Sequence, residues 1–122
     1  MQQMMAAVTH RIREMSLEKR PEPKPGEGEV LIKVRHVGIC GSDLHFYQHG
    51  FERENLFPKI LGHECAGEVT AFGAFPQGGQ PLDGRGNPLA IGDRVALEPG
   101  VPCGECEWCR RGEYNLCEKL RW

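Results

Sequence analysis

The run Cys103-Gly-Glu-Cys106-Glu-Trp-Cys109, completed by Cys117, constrains this chain more than any other feature of its sequence. The spacing is C-x2-C-x2-C-x7-C. Thiolates at these intervals can wrap one tetrahedral Zn2+, and four sulfurs that leave no open position describe a structural site rather than a catalytic one. Gly104 and Gly112 let the backbone turn around the ion. The plain alternative is a set of free or disulfide-paired thiols, although four cysteines packed this closely are rarely accidental. An iron–sulfur cluster opens with the same C-x2-C-x2-C run, but its fourth cysteine comes sooner and precedes a proline, whereas Cys117 precedes Glu118. A nucleic-acid zinc finger would need a second pair at ribbon spacing or a recognition helix between ligands, and neither is present. Arg110 and Arg111 then read as solvated surface residues.

Length and charge narrow the setting. A chain of 122 residues suits one ordinary domain and is too short for a catalytic domain plus a dinucleotide fold. With 15 Lys+Arg against 17 Asp+Glu, the formal charge of -2 offers no electrostatic footprint for nucleic acid or an acidic membrane, so a small partner is expected. No apolar stretch approaches the roughly 20 residues that span a bilayer. The start Met1-Gln2-Gln3-Met4-Met5 has no basic and apolar leader regions. These features predict a soluble, cytoplasmic protein, and the close cysteine spacing fits a metal site in a reducing compartment better than a disulfide framework.

Short strands dominate the pattern. GEVLIKVRHVGI, from Gly28 to Ile39, alternates Val30, Ile32 and Val34 with Leu31, Lys33 and Arg35, the period of a half-buried strand. Ala6–Leu17 reads as an earlier strand pair, joined to it by a surface link through Pro21, Pro23, Pro25 and Gly26. SDLHFYQHG predicts a short helix with Ser42 or Asp43 able to accept a backbone hydrogen bond at its start. Glu64–Phe72 and Arg94–Leu97 read as further strands, the second introduced by a Gly92-Asp93 turn. Phe75–Pro88, rich in Gly and Pro with few groups to bury, predicts an exposed, mobile loop. No Gly-x-Gly-x-x-Gly cradle for a dinucleotide is present.

Cys40 and His63 are candidates for a second metal site. Catalytic zinc usually takes three protein ligands, which can come from distant parts of the chain, and keeps one position free. Glycines flank both residues, in Ile39-Cys40-Gly41 and Gly62-His63-Glu64, and suit bends that bring the side chains together. Taken alone, Cys40 reads equally as a buried small side chain. His63-Glu64 lacks the second histidine of a zinc-protease motif.

ICGSDLHFY at 39–47, GHECAGEV at 62–69, GDRVALEPG at 92–100 and PCGECEWCRRGEYNLC at 102–117 together resemble four successive signatures of zinc-dependent medium-chain dehydrogenases. The wording is closest to sorbitol and xylitol dehydrogenases. The resemblance implies a mainly β, GroES-like, partly open barrel over 1–122, with short helices and a four-cysteine zinc lobe at 103–117. It further implies that the chain stops before the family's third catalytic-zinc ligand and its dinucleotide-binding domain. Cys40 and His63 would bind the catalytic zinc, with Glu64 an exchangeable or outer ligand and Asp43 orienting the ligand histidine. Ser42 would bond the substrate hydroxyl and pass its proton on, with His45 a further member of the relay. Phe46 and Tyr47 would line the pocket; the alternatives are a helix cap for Ser42, a surface histidine for His45 and core packing for the two aromatics. His10, His36 and His49 match no motif and read as structural or surface residues, and Cys65 as a buried small side chain. The parent would be a homo-oligomer that oxidises an alcohol or polyol with NAD or NADP, and the isolated chain would be inactive. A zinc-binding structural or interaction module without chemistry is the rival reading. The loop 75–88 is longer than the family's usual connection.

Overall fold

The computed structural model describes residues 2–50 and 56–122. Two three-stranded antiparallel sheets carry the fold, in the orders β2-β1-β4 and β3-β5-β6. In the first, β1 (Gln3–Arg11) and β2 (Glu14–Pro21) form the expected hairpin, with Ala7 opposite Leu17, and β4 (Lys59–Ile60) joins the free edge of β1 through Val8 and Thr9. In the second, β5 (Glu64–Phe72) lies between β3 (Val30–Gly38) and β6 (Arg94–Ala96). No ladder joins the two sheets among the described residues, which agrees with a barrel left partly open.

β1 is most deeply covered at Ala6, Val8 and Thr9, and Val69 on β5 is 1% exposed. Covering of the adjacent residues Val8 and Thr9 means that both faces of the strand are packed there, because successive side chains point to opposite sides. β3 departs from its predicted half-buried alternation. Val34 and Val37 are about half exposed, and every side chain from Lys33 to Gly38 is exposed. The alternating pattern names a strand, but cover requires a second layer, and among the described strands β3 is hydrogen-bonded only to β5.

Two α-helices accompany the sheets among the described residues. Helix α1 (Gly41–His49) leaves β3 at Cys40, which is itself the N-cap in extended conformation. Asp43 accepts the Cys40 N–H at 2.9 Å, so the acceptor is Asp43 and not Ser42. Short α2 (Glu107–Arg110) lies inside the cysteine run.

The segment 75–88 is more built than its composition suggests. It contains a 3-10 turn at Pro76–Gly78 and an antiparallel bridge between Leu82 and Pro88. Asp83 accepts the N–H groups of Arg85 and Asn87 at 2.9 and 2.8 Å, and these bonds hold its carboxyl below the ordinary value, the Asn87 bond foremost. Pro81 is buried. An aspartate followed by glycine closes such turns through its own side chain.

Candidate metal centres

All six cysteines are free thiols, and four of them converge. The sulfurs of Cys103, Cys106, Cys109 and Cys117 lie within 4.8 Å of one another, with Cys103 Sγ 3.9 Å from Cys109 Sγ. A disulfide would place two sulfurs about 2.05 Å apart. Four sulfurs each about 2.3 Å from a tetrahedral zinc stand about 3.8 Å apart, which the observed separation matches.

Backbone donors aim at these sulfurs. Cys103 N–H points to Cys117 Sγ at 3.2 Å, Cys106 N–H to Cys103 Sγ at 3.3 Å, and Lys119 N–H to Cys117 Sγ at 3.4 Å. Such donors favour thiolate over thiol. The Cys106 thiol is brought down to about 6, chiefly by the Cys109 N–H and next by that of Glu118. Cys117 is lowered too, foremost by the Cys103 N–H. Cys109 is instead pushed up to about 12, foremost by burial. Four crowded sulfurs cannot all ionise at little cost without a cation among them, so the donor set fits a metal and is poorly served without one.

Arg110 and Arg111 are exposed, as their surface reading expects, and each also makes a local contact. Arg110 Nε donates to the Glu105 carbonyl at 2.7 Å, bracing the turn between the first two cysteines. Arg111 pairs with Glu107 and stands 5.5 Å from the Trp108 ring centre.

The second cluster assembles across the β3–β5 ladder. Cys40 follows β3, Glu64 opens β5, and the register sets Gly38 opposite Glu64. Ligand atoms of Cys40, His63 and Glu64 then fall within 4.8 Å of one another. Two glycines permit this. Gly62 has φ +113, a conformation that L side chains rarely adopt, and so turns the chain into His63. At Gly38 a Cβ would meet Glu64 Oε2 at 2.5 Å and Glu64 Cβ at 3.2 Å, so the bare backbone leaves room for the carboxylate. Asp43 Oδ1 lies 3.6 Å from His63 Nδ1, beyond a hydrogen bond but facing the ring. One thiol, one imidazole and one carboxylate are a donor set that zinc accepts.

Beside this cluster opens a cavity of about 690 Å3. Ser42, Asp43 and His63 make its polar wall; Phe46, Ile60, Leu61, Leu97, Pro99 and Trp122 supply apolar surface, with Lys59 at the edge. Tyr47 does not line it. Its hydroxyl donates to the Arg13 carbonyl at 3.2 Å while Arg13 N–H bonds the Tyr47 carbonyl, pinning α1 to the hairpin turn. His45 is exposed, outside the cavity lining, with its ring 5.1 Å from that of His49. His10 pairs with Glu18 on the hairpin, His36 is exposed, and Cys65 is half-buried rather than buried. Leu61, Leu97, Pro99 and Trp122 escape sequence reasoning because their approach depends on tertiary packing; Leu61 only borders a recognised motif, Leu97 and Pro99 lie inside one, and Trp122 lies beyond the last.

Two antiparallel sheets thus carry a four-thiol lobe and, beside a cavity, a Cys-His-Glu cluster, a module with two candidate metal centres. The chain belongs to the alcohol dehydrogenase GroES-like domain family, whose model matches residues 26–122. It is 48% identical to the sorbitol dehydrogenase of Bacillus subtilis (strain 168), over 99% of this chain and 32% of that protein. An alcohol dehydrogenase from Escherichia coli CFT073, solved in complex with NADH, superposes with a TM-score of 0.74 at 34% identity, covering 98% of this chain and 31% of that one. The cobalt- and zinc-bound thermostable alcohol dehydrogenase of Pyrobaculum aerophilum gives 0.77 at 29% identity, covering 97% and 33%. The chain thus spans about a third of the length of the curated relatives it matches.

Proposed function

We propose that residues 1–122 are the metal- and substrate-binding part of a zinc-dependent alcohol or polyol dehydrogenase that uses NAD or NADP, working as a homo-oligomer in the cytoplasm. The observation that carries this reading is the convergence of Cys40, His63 and Glu64 beside a cavity whose wall includes His63 and Ser42. A reducing compartment keeps the lobe's thiols available to metal.

Cys40 and His63 would hold a zinc ion, which would supply Lewis acidity toward a substrate hydroxyl, and a nicotinamide cofactor would supply the hydride acceptor. The chain's own residues do the rest. Asp43 faces the His63 ring on its Nδ1 side, a placement that would leave Nε2 for the metal. Glu64 stands by as an exchangeable ligand. Ser42 can accept one proton while donating another, so it takes the proton of the substrate hydroxyl. His45 lies three residues on, a neighbouring position on the helix surface, and carries that proton toward solvent. The apolar wall around Phe46 and Leu97 keeps water away from the reacting carbon. Cys103, Cys106, Cys109 and Cys117 hold a second, structural zinc.

The rival, a module without chemistry, accounts for the lobe but leaves the second cluster and its cavity without a use. A chimera tests the proposal: this chain replaces the corresponding third of the Bacillus subtilis sorbitol dehydrogenase. Turnover of sorbitol or xylitol that is lost in Cys40→Ser and Ser42→Ala supports it. A folded, zinc-loaded chimera without turnover would sink it.

A further inference from the structure

Helix α1 presents two imidazoles on one exposed face. His45 and His49 stand four residues apart, the spacing that places side chains one turn above the other on the same side of a helix. Both are exposed, and their ring centres are 5.1 Å apart with the planes tilted by 45°. Among the described residues no hydrogen bond or ion pair engages either ring, whereas His10 pairs with Glu18 and His63 faces Asp43.

The separation is the one that a shared metal ion requires. Two imidazole nitrogens about 2.1 Å from one ion, at coordination angles of about 90° to 110°, set their ring centres about 4.6 to 5.3 Å apart. The observed 5.1 Å lies within that range. The face is also held in place. Tyr47 ties α1 to the hairpin turn through the Arg13 carbonyl, and the Gly50 N–H closes the last turn onto the Phe46 carbonyl at 2.9 Å. His49 ends the helix, where the free carbonyls make the negative end that favours a cation. Imidazole nitrogen suits nickel, copper and zinc, while magnesium and calcium prefer oxygen.

We propose that His45 and His49 form a surface site for a transition-metal dication of the nickel, copper or zinc class, and that an ion bound there takes His45 out of the proton path to solvent. With two protein ligands and water completing the shell, the site fills only when metal is in excess over the thiolate sites. The binding half rests on geometry alone. The second half rests on the dehydrogenase reading, in which His45 receives the proton released at Ser42. A neutral imidazole has one nitrogen lone pair free to accept a proton, and the ion occupies it, so excess metal inhibits oxidation.

Nickel ion serves as the probe, because paramagnetic Ni2+ broadens the proton resonances around it. In the zinc-loaded chain, sub-stoichiometric Ni2+ is expected to broaden the ring proton signals of His45 and His49 together, ahead of those of the exposed His36. His49→Gln should raise the Ni2+ needed to broaden His45 by roughly tenfold, since the second imidazole no longer adds its local concentration. Both residues are exposed, so the variant should melt like wild type. A His45 signal that broadens no earlier than that of His36, or equally in His49→Gln, would overturn the metal site. In the Bacillus subtilis chimera, Ni2+ should inhibit sorbitol oxidation. His49→Gln should leave turnover without nickel unchanged and raise the half-inhibiting concentration by a similar factor. Equal inhibition of both chimeras would overturn the link to the proton path. If the unmodified chimera oxidises no polyol, the dehydrogenase reading falls and takes that link with it, while the resonance titration still decides the metal site.

Discussion

Asp43 joins two tasks in one carboxylate: Oδ2 accepts the Cys40 N–H at 2.9 Å, and Oδ1 faces His63 Nδ1 at 3.6 Å. The same residue therefore caps α1 and faces both principal ligand candidates. Substitution separates the tasks. Asp43→Asn keeps an oxygen for the cap but loses the charge facing the ring. Asp43→Ala loses both.

Asp43→Ala should weaken metal binding at the Cys40 cluster by roughly 10- to 100-fold, the usual range for a residue that orients a ligand histidine, and cost about 1 kcal/mol through the lost cap. Asp43→Asn should lose most of the affinity with little loss of stability. Cobalt titration alongside thermal melting checks this. Wild-type affinity in both variants would show that Asp43 is only a cap.

Gly38 gives a second handle on the same cluster. A methyl group there would crowd Glu64 at its carboxylate and at Cβ, so Gly38→Ala should push the carboxylate away from Cys40 and His63. The expected result is altered metal affinity at this cluster with the lobe unaffected. If Glu64 takes no part in binding, Gly38→Ala and Glu64→Gln will both titrate like wild type.

The hairpin carries a pH dependence of known sign. Glu18 is held below its ordinary value of 4.5 foremost by the bond with His10, then by that with Ser16, with Arg20 adding charge attraction. A carboxylate depressed in the folded state adds stability above the unfolded value, and that stability disappears as pH falls through the folded value. The stability advantage of wild type over Glu18→Gln should accordingly be full near neutrality and shrink below about pH 4.5. Melting curves across that range test it; a gap that widens on acidification would contradict the assignment.

Legibility from sequence follows locality. The lobe is readable because its four cysteines are close in the chain and glycines mark the turns, so spacing alone nearly determines the geometry. Cys40 and His63 need the resemblance to known enzymes, since only the β3–β5 register, with Gly38 opposite Glu64, brings them together. Tyr47 misleads because an aromatic on a short helix fits a pocket or a brace equally well, and the choice depends on the distant Arg13 carbonyl. In 75–88 the Asp-Gly pair is visible, but the Leu82–Pro88 bridge and buried Pro81 are outcomes of packing. The half-buried alternation of β3 fails for the same reason. Alternation specifies two faces but not what covers them.

What covers them bears on how the chain behaves alone. A compact protein of 13.7 kDa exposes about 6,600 Å2, whereas this chain exposes 9521 Å2. The surplus includes Met5, Leu17, Val34, Val37 and Ile39, each more than half exposed. The 122-residue chain by itself should therefore bind a hydrophobic dye and melt at low temperature, with the lobe as its firmest element. Zinc analysis should find one tightly held ion per chain, lost in Cys106→Ser, and a weakly held ion at Cys40 and His63, where the third candidate donor, Glu64, is exposed. With no dinucleotide cradle in its sequence, the isolated chain should not oxidise sorbitol or xylitol in the presence of zinc and NAD. Appreciable turnover would show that these residues bind a nicotinamide cofactor unaided. Zinc content unchanged in Cys106→Ser would remove the metal from the lobe.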